Sequence, residues 1–206
     1  SAKIEEKVFY ITTAIDYSNS VPHLGHAFEK IGADVIARYQ RFLGKDVFFL
    51  TGTDEHSQNV KRMAEKQELS PKEYCDRMAE KFKQVWSTLN ISFSRFIQTT
   101  DPQHQRVVQA VLARIHENND IYKDLYRGKY CPSCEKFLNQ DELTDGKLCK
   151  IHEIEVQDIE EENYFFKLKN YQQKLINHIK KHPKFIQPES RRNEILSLLE
   201  HGLEDV

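Results

Sequence analysis

Two histidines stand three residues apart in Pro22-His23-Leu24-Gly25-His26, directly before a helical pattern. The first turn of a helix carries unpaired N–H groups and partial positive charge, which favour phosphate, and imidazoles three residues apart share a face. Gly25 removes the Cβ that would hold a flat ring off the backbone. A nucleotide suits this pattern, with adenine against Gly25 and phosphates near His23 and His26. On these few residues alone, a helix turn bearing surface histidines is an equally good reading. A second constellation is more specific: Cys131-Pro132-Ser133-Cys134 is followed by Cys149-Lys150-Ile151-His152. Two pairs of tight spacing suit one tetrahedral Zn²⁺ held by Cys131, Cys134, Cys149 and His152, a full set that makes the site structural rather than catalytic. Cys75 stands apart in a helical pattern.

The elements that must carry these residues follow from periodicity. Val8–Thr13 is short, apolar and β-branched, and reads as a buried parallel strand ending in the polar stretch 16–20. From Leu24 to Phe42, Phe28, Ile31, Val35, Ile36, Tyr39 and Phe42 recur at three and four, which predicts a helix. Asp46–Gly52 is a second strand, running into Thr53-Asp54-Glu55-His56. Together they form a βαβ unit, whose ligand sites lie beyond the carboxyl ends of the strands. Ser70-Pro71-Lys72-Glu73 opens a helix with a capping box and runs to about Leu89. A short strand at 93–99 and a helix from Thr100-Asp101-Pro102 to about Asn118 continue the alternation. Around Ile121 the texture changes, and the segment to about Glu162 reads as short strands and loops. A strand at Tyr164–Leu168, a helix from Tyr171 to His182, and short helix and loop complete the chain.

The expected fold is therefore α/β: a Rossmann-type parallel sheet over residues 1–120, and an inserted connective subdomain over 121–206 with a zinc knuckle at 131–152. Length allows one domain with such an insertion. The 30 basic and 32 acidic residues give a net charge of −2, which excludes a protein that works by coating nucleic acid, so any RNA contact is local. No apolar run approaches bilayer length, and Ser1–Lys7 has neither a secretory nor a transit pattern, so no membrane partner and a cytoplasmic address are expected. The cysteine clustering then favours metal over disulfide. Lys180-Lys181, Arg191-Arg192 and Glu160-Glu161-Glu162 read as solvated surface before they read as RNA contacts or catalysts.

Thr13 to His26 resembles the first signature of the class I aminoacyl-tRNA synthetases, and Gly52-Thr53-Asp54-Glu55-His56 resembles a strand end of the methionyl branch. Tyr130-Cys131-Pro132-Ser133-Cys134-Glu135, Glu161-Glu162-Asn163-Tyr164-Phe165-Phe166 and Pro188–Glu194 are similar to the same branch in order and spacing, so the resemblance covers nearly the whole chain. It implies ATP-dependent activation of methionine to methionyl-adenylate and transfer to tRNA(Met), with Mg²⁺ accompanying ATP. His23 and His26 would be catalytic, stabilising charge on the phosphates rather than moving protons. Tyr17, Asn19, His23, Gly25 and His26 would bind ATP. Ala14, Ile15, Tyr17 and Asp54 would bind methionine, Tyr17 as an aromatic wall for the thioether and Asp54 as partner of the α-ammonium.

Departures accompany the resemblance. The Lys-Met-Ser-Lys-Ser loop of the second signature, the second half of the nucleotide fold and the anticodon-binding domain do not occur in these residues, so the chain reads as a fragment expected to be inactive alone. Ser57 replaces a common Gly, and Asp16 adds a negative charge beside an ATP loop that weakens phosphate approach unless it points to solvent. Three other readings stay open: a sister class I synthetase, another His-x-Gly-His nucleotidyltransferase, and a non-catalytic zinc-stabilised tRNA-binding module with a vestigial nucleotide site.

Overall fold

The structure is a computed structural model that describes residues 7–134 and 136–206. Residues 1–6, where no leader pattern is read, and Glu135 of the Tyr130–Glu135 motif lie outside the described residues. Two compact units divide the chain, residues 1–108 with 132–135 and residues 109–131 with 136–206.

The first unit is built as β1 (Val8–Thr12), β2 (Asp16–Tyr17), α1 (Leu24–Phe42), β3 (Asp46–Asp54), α2 (Gln58–Lys66), α3 (Pro71–Thr88) and β4 (Arg95–Gln98), followed by α4 (Pro102–Glu117). All pairings in its sheet are parallel, as the βαβ reading requires. β3 is central: Leu50 pairs with Thr12 of β1 and Arg95 of β4, and Thr53 with Asp16 of β2 and Gln98 of β4, so β1 and β2 share one edge of β3 and β4 takes the other. Gly52 permits the β4 contact, because a Cβ there would lie 2.0 Å from the Ile97 carbonyl oxygen.

One face of this sheet is covered. Val47 and Phe49 pack with Val60 and Ala64 of α2 and with Tyr74, Cys75, Met78, Phe82 and Trp86 of α3, an inner face spaced at three and four. Val8, Tyr10 and Phe48, on the opposite face of the pleat, are exposed. The expectation that β1 is buried is thereby corrected: Phe9 and Ile11 are partly buried against the core and the other side is exposed. The apolar stripe of α1 also differs from its expected role. Phe28 and Phe42 are 84% and 86% exposed, and Val35 and Tyr39 are exposed as well, whereas Lys30, Asp34 and Ala37 are buried. The inward face of α1 is held by polar contacts: Asp34 accepts from the Ser92 N–H (2.7 Å), the Ser92 hydroxyl (2.5 Å) and Arg38 Nε (2.6 Å), and Arg41 reaches Ser92. Burial raises the Asp34 pKa, but these donors outweigh it and hold the carboxyl below its usual range.

α2 has no counterpart in the sequence reading. Ser57 explains its start, as its hydroxyl accepts the Val60 N–H at 3.1 Å, so the departure from glycine supplies an N-cap. α3 begins on the expected capping box, with Ser70 and Glu73 satisfying each other's backbone N–H groups.

In the second unit, β5 (Ile121–Cys131) and β9 (Gln157–Phe166) form a long antiparallel ribbon, with β6 (Lys136–Leu138) on the other side of β5. This corrects the expectation of short strands and loops. Tyr126 and Tyr130 meet Phe137 edge-on, and Tyr122 and Tyr126 stack against Phe165, on one face, while Lys123–Glu162, Arg127–Glu160 and Lys129–Asp158 pair on the other, a period of two written in aromatics and charges. β7 (Leu143–Thr144) and β8 (Leu148–Cys149) make a small hairpin. α5 (Gln172–Lys181) and α6 (Glu189–His201) pack through Ile176, Ile179 and Leu199; α6 is longer than expected. Lys180 and Arg191 form exposed ion pairs with Glu200 and Glu194, and the half-buried Arg192 pairs with Glu189. Among the described residues no helix is long and apolar enough to cross a membrane.

Candidate functional site

His23 is the N-cap of α1, in extended conformation, and its Nδ1 accepts the Gly25 N–H at 3.1 Å. One turn on, His26 Nδ1 accepts the His23 N–H at 3.2 Å. The two rings stack at 3.8 Å between centroids, 23° from parallel. A Cβ on Gly25 would lie 3.0 Å from the His23 ring, so the glycine lets that ring fold back over the helix start. Because each Nδ1 is an acceptor, the ring proton of each neutral imidazole sits on Nε2, leaving two N–H donors. Burial lowers the His26 pKa, against the pull of Asp16, which favours the neutral ring.

Beyond β1 the chain leaves the sheet at Ala14 and Ile15 and returns as β2, where Tyr17 pairs in register with Asp54. Those two candidates are therefore neighbours on adjacent strands at the carboxyl end of the sheet. Ile15 and Tyr17 are 40% and 58% exposed, Asp54 is half-buried, and Asn19 lies half-buried in the turn after β2. The Ser18 N–H and hydroxyl both donate to the Asp54 carbonyl, at 3.2 and 3.3 Å. An apolar hollow of about 430 Å³ lined by Pro22, His23, Leu24, Ala27, Val85, Thr88 and Leu89 adjoins His23, but none of Ala14, Ile15, Tyr17 or Asp54 borders it.

Sequence reasoning missed the buried groups beneath these residues. Asp16 does not point to solvent: it is 5% exposed, and Oδ1 accepts from Lys30 Nζ at 2.8 Å and lies 3.9 Å from His26 Nε2. Its charge is met by a cation in the protein. Glu55, 4% exposed, accepts from Thr53 Oγ1 (2.9 Å), Gln98 Nε2 (2.9 Å) and Thr100 Oγ1 (2.5 Å), while its N–H donates to Thr99 Oγ1 (2.9 Å). Lying between Asp54 and His56, it joins the carboxyl ends of β3 and β4. The available signal was a stripe on α1 of Lys30, Asp34 and Arg41 with Ala37 among them, spaced at three and four like a core face.

Cys131, Cys134, Cys149 and His152 converge, with one ligand atom from each within 4.8 Å of all the others. Cys131 ends β5 and Cys134 follows in the turn to β6; Cys149 ends β8 and its carbonyl accepts the Glu153 N–H, closing the turn that brings His152 Nδ1 to 3.8 Å from Cys149 Sγ. A tetrahedral Zn²⁺ with bonds of about 2.0–2.3 Å holds its ligands roughly 3.5–3.8 Å apart, so the donor set and its spread fit a metal ion.

Comparison with known proteins gives the same direction from three sides. A family model described as tRNA synthetases class I (M) matches residues 9–158. The methionine-tRNA ligase of Thermotoga maritima is 49% identical over 201 residues, covering 96% of this chain and 32% of its own length, and that of Caldanaerobacter subterraneus is 46% identical, covering 98% and 31%. The structure of Mycobacterium tuberculosis methionyl-tRNA synthetase in complex with methionyl-adenylate superposes with a TM-score of 0.90 at 42% identity, over 97% of this chain and 40% of that one. The chain spans about a third of the length of these curated relatives.

Proposed function

The chain belongs to the class I tRNA synthetases of the methionine branch, a family of ligases, and from that premise we propose that it carries the signature half of a site that activates methionine with ATP and passes it to tRNA(Met). The observation that carries this reading is the stacked His23–His26 pair at the start of α1, linked to β2 by the 3.9 Å approach of His26 Nε2 to Asp16 Oδ1, with Tyr17 of β2 in register with Asp54 at the carboxyl end of β3.

In the proposed reaction a methionine carboxylate oxygen attacks the α-phosphorus of ATP, the bond to the β-phosphate oxygen breaks, and methionyl-adenylate and pyrophosphate form. Negative charge builds on the phosphate oxygens in that step. The Nε2–H groups of His23 and His26, set by the backbone donors on each Nδ1, stabilise it as fixed donors, which needs no proton transfer. Gly25 leaves room for the adenine, and Asn19 and Tyr17 border the nucleotide. Ala14, Ile15 and Tyr17 line the side chain of methionine, and Asp54 pairs with its ammonium. Mg²⁺ enters with ATP and supplies charge neutralisation on the phosphates.

We assign residues 1–120 to the nucleotide-binding half domain and 121–206 to a connective insertion, whose Cys131, Cys134, Cys149 and His152 would hold one structural Zn²⁺. The protein works in the cytoplasm, with no membrane partner. In the full-length protein, His23→Ala and Asp54→Ala are each expected to lower methionine-dependent ATP–pyrophosphate exchange by about 100-fold, the usual loss when one fixed transition-state donor or charged partner is removed. Exchange within threefold of the parent in both variants would defeat the assignment.

A further inference from the structure

Lys30 is fully buried, one turn along α1 from His26, and its Nζ lies 6.0 Å from the centre of the Trp86 ring. An ammonium withdrawn from water is tolerated where each of its three N–H groups meets an acceptor. Here they do: Ala14 O at 3.1 Å, Asp16 Oδ1 at 2.8 Å and Glu29 Oε2 at 3.0 Å. Glu29 completes the arrangement, since its Oε1 accepts the Ala14 N–H at 2.8 Å. Consecutive residues of α1 thus take the N–H and the C=O of Ala14.

The location of this clamp gives it meaning. Pairing of β1 with β3 ends at Thr12, the Thr13 N–H still reaches Leu50 O, and pairing resumes only at Asp16. Ala14 and Ile15 are without a strand register, so the position of this stretch is set by Glu29 and Lys30 instead. The same helix carries His26, whose Nε2 faces the Asp16 carboxylate that Lys30 neutralises. Asp16 Oδ2 is buried with no hydrogen-bond partner, so the carboxylate depends on Lys30 for its compensation.

We propose that Lys30, acting with Glu29 and Asp16, is a positioning residue that fixes the Ala14–Tyr17 segment against the signature helix and thereby sets affinity for the amino-acid substrate without touching it. The proposal rests on the reading above that this segment contacts methionine. Substitution by methionine keeps the length of the stem and removes the charge, leaving the buried Asp16 carboxylate without its donor, while Glu29 retains the Ala14 N–H and the Ala14 carbonyl retains the Thr13 hydroxyl.

The test is steady-state ATP–pyrophosphate exchange on the full-length protein, with folding followed separately by thermal melting. Lys30→Met is expected to raise KM for methionine tenfold or more while kcat changes by less than threefold. A purely structural role would instead lower kcat through loss of active protein and leave that KM unchanged. Asp16→Asn is expected to raise the same KM at least threefold, and the double variant to be no worse than Lys30→Met alone, because the two residues act through one contact. A folded Lys30→Met with KM for methionine within twofold of the parent overturns the proposal, as do two effects that simply multiply. Should Lys30→Met not fold, Asp16→Asn decides, and an unchanged KM there overturns it. A parent with no methionine-dependent exchange removes the underlying reading and the proposal with it; a parent with normal exchange and unshifted variants overturns the positioning role alone.

Discussion

Asp34 lends itself to a quantitative prediction. Its carboxylate is 7% exposed and joins α1 to the loop before β4 through the Ser92 N–H, the Ser92 hydroxyl and Arg38. The two Ser92 bonds involve a charged acceptor and are worth roughly 1.5 kcal/mol each, the low end for such bonds. Arg38 is half exposed, so its ion pair adds under about 1 kcal/mol. Asp34→Ala should therefore lower the unfolding free energy by about 2–4 kcal/mol. Urea denaturation followed by the fluorescence of Trp86, the single tryptophan and fully buried in the adjoining core, reads this directly. The pH dependence has a definite sign. A carboxyl whose folded pKa is depressed contributes its full stability above its unfolded value, about 3.9, and loses it as pH falls through the lower folded value. The deficit of Asp34→Ala should be constant between pH 6 and 8 and close below about pH 4. A deficit under about 0.5 kcal/mol at pH 7, or one that widens on acidification, would refute the assigned role of these contacts.

Two further outcomes follow from the structure. Metal analysis of the purified chain should find about one zinc per molecule, and Cys131→Ser or His152→Ala should lose it; full metal content in Cys131→Ser would contradict a four-ligand site. Cys75 is 1% exposed and burial pushes its thiol up to about 11, so a thiol-directed alkylating agent at pH 8 should leave it unmodified in the folded protein and label it in urea; rapid labelling of the native chain would show that this core opens.

Much of the frame was legible because the signals were local. The span of α1, the capping box of α3 and the paired spacing of the knuckle residues depend on neighbours in sequence, and each element starts within a residue or two of its expected place. The side of α1 that faces inward was not legible. Its apolar stripe, Phe28 to Phe42, has the stronger period, and only the tertiary contacts of Lys30, Asp34 and Arg41 reveal that the polar stripe is the buried one. The β5–β9 ribbon was hidden for a related reason: its alternation sets tyrosines against lysines and acids rather than aliphatic against polar residues. α2 was missed because its helical set Val60, Met63 and Ala64 falls within nine residues, too short a run for a period to be read. At the site, His23, His26, Tyr17 and Asp54 could be given roles from motifs, whereas the roles of Asp16, Lys30 and Glu55 depend on tertiary partners such as Asp16–Lys30, Glu55–Gln98 and Glu55–Thr100, which no motif specifies.

The most direct measurement is amino-acid-dependent ATP–pyrophosphate exchange by the full-length protein, run in parallel with methionine, leucine, isoleucine and valine. Strong exchange with methionine, at least 100-fold above the other three in kcat/KM, is predicted from the side-chain pocket proposed at Ala14, Ile15 and Tyr17, given that each methylene misfit in an apolar pocket is worth about 10- to 200-fold. Equal exchange with leucine, or none with methionine, would contradict the assignment of the His23–His26 and Tyr17–Asp54 pairs to methionine activation.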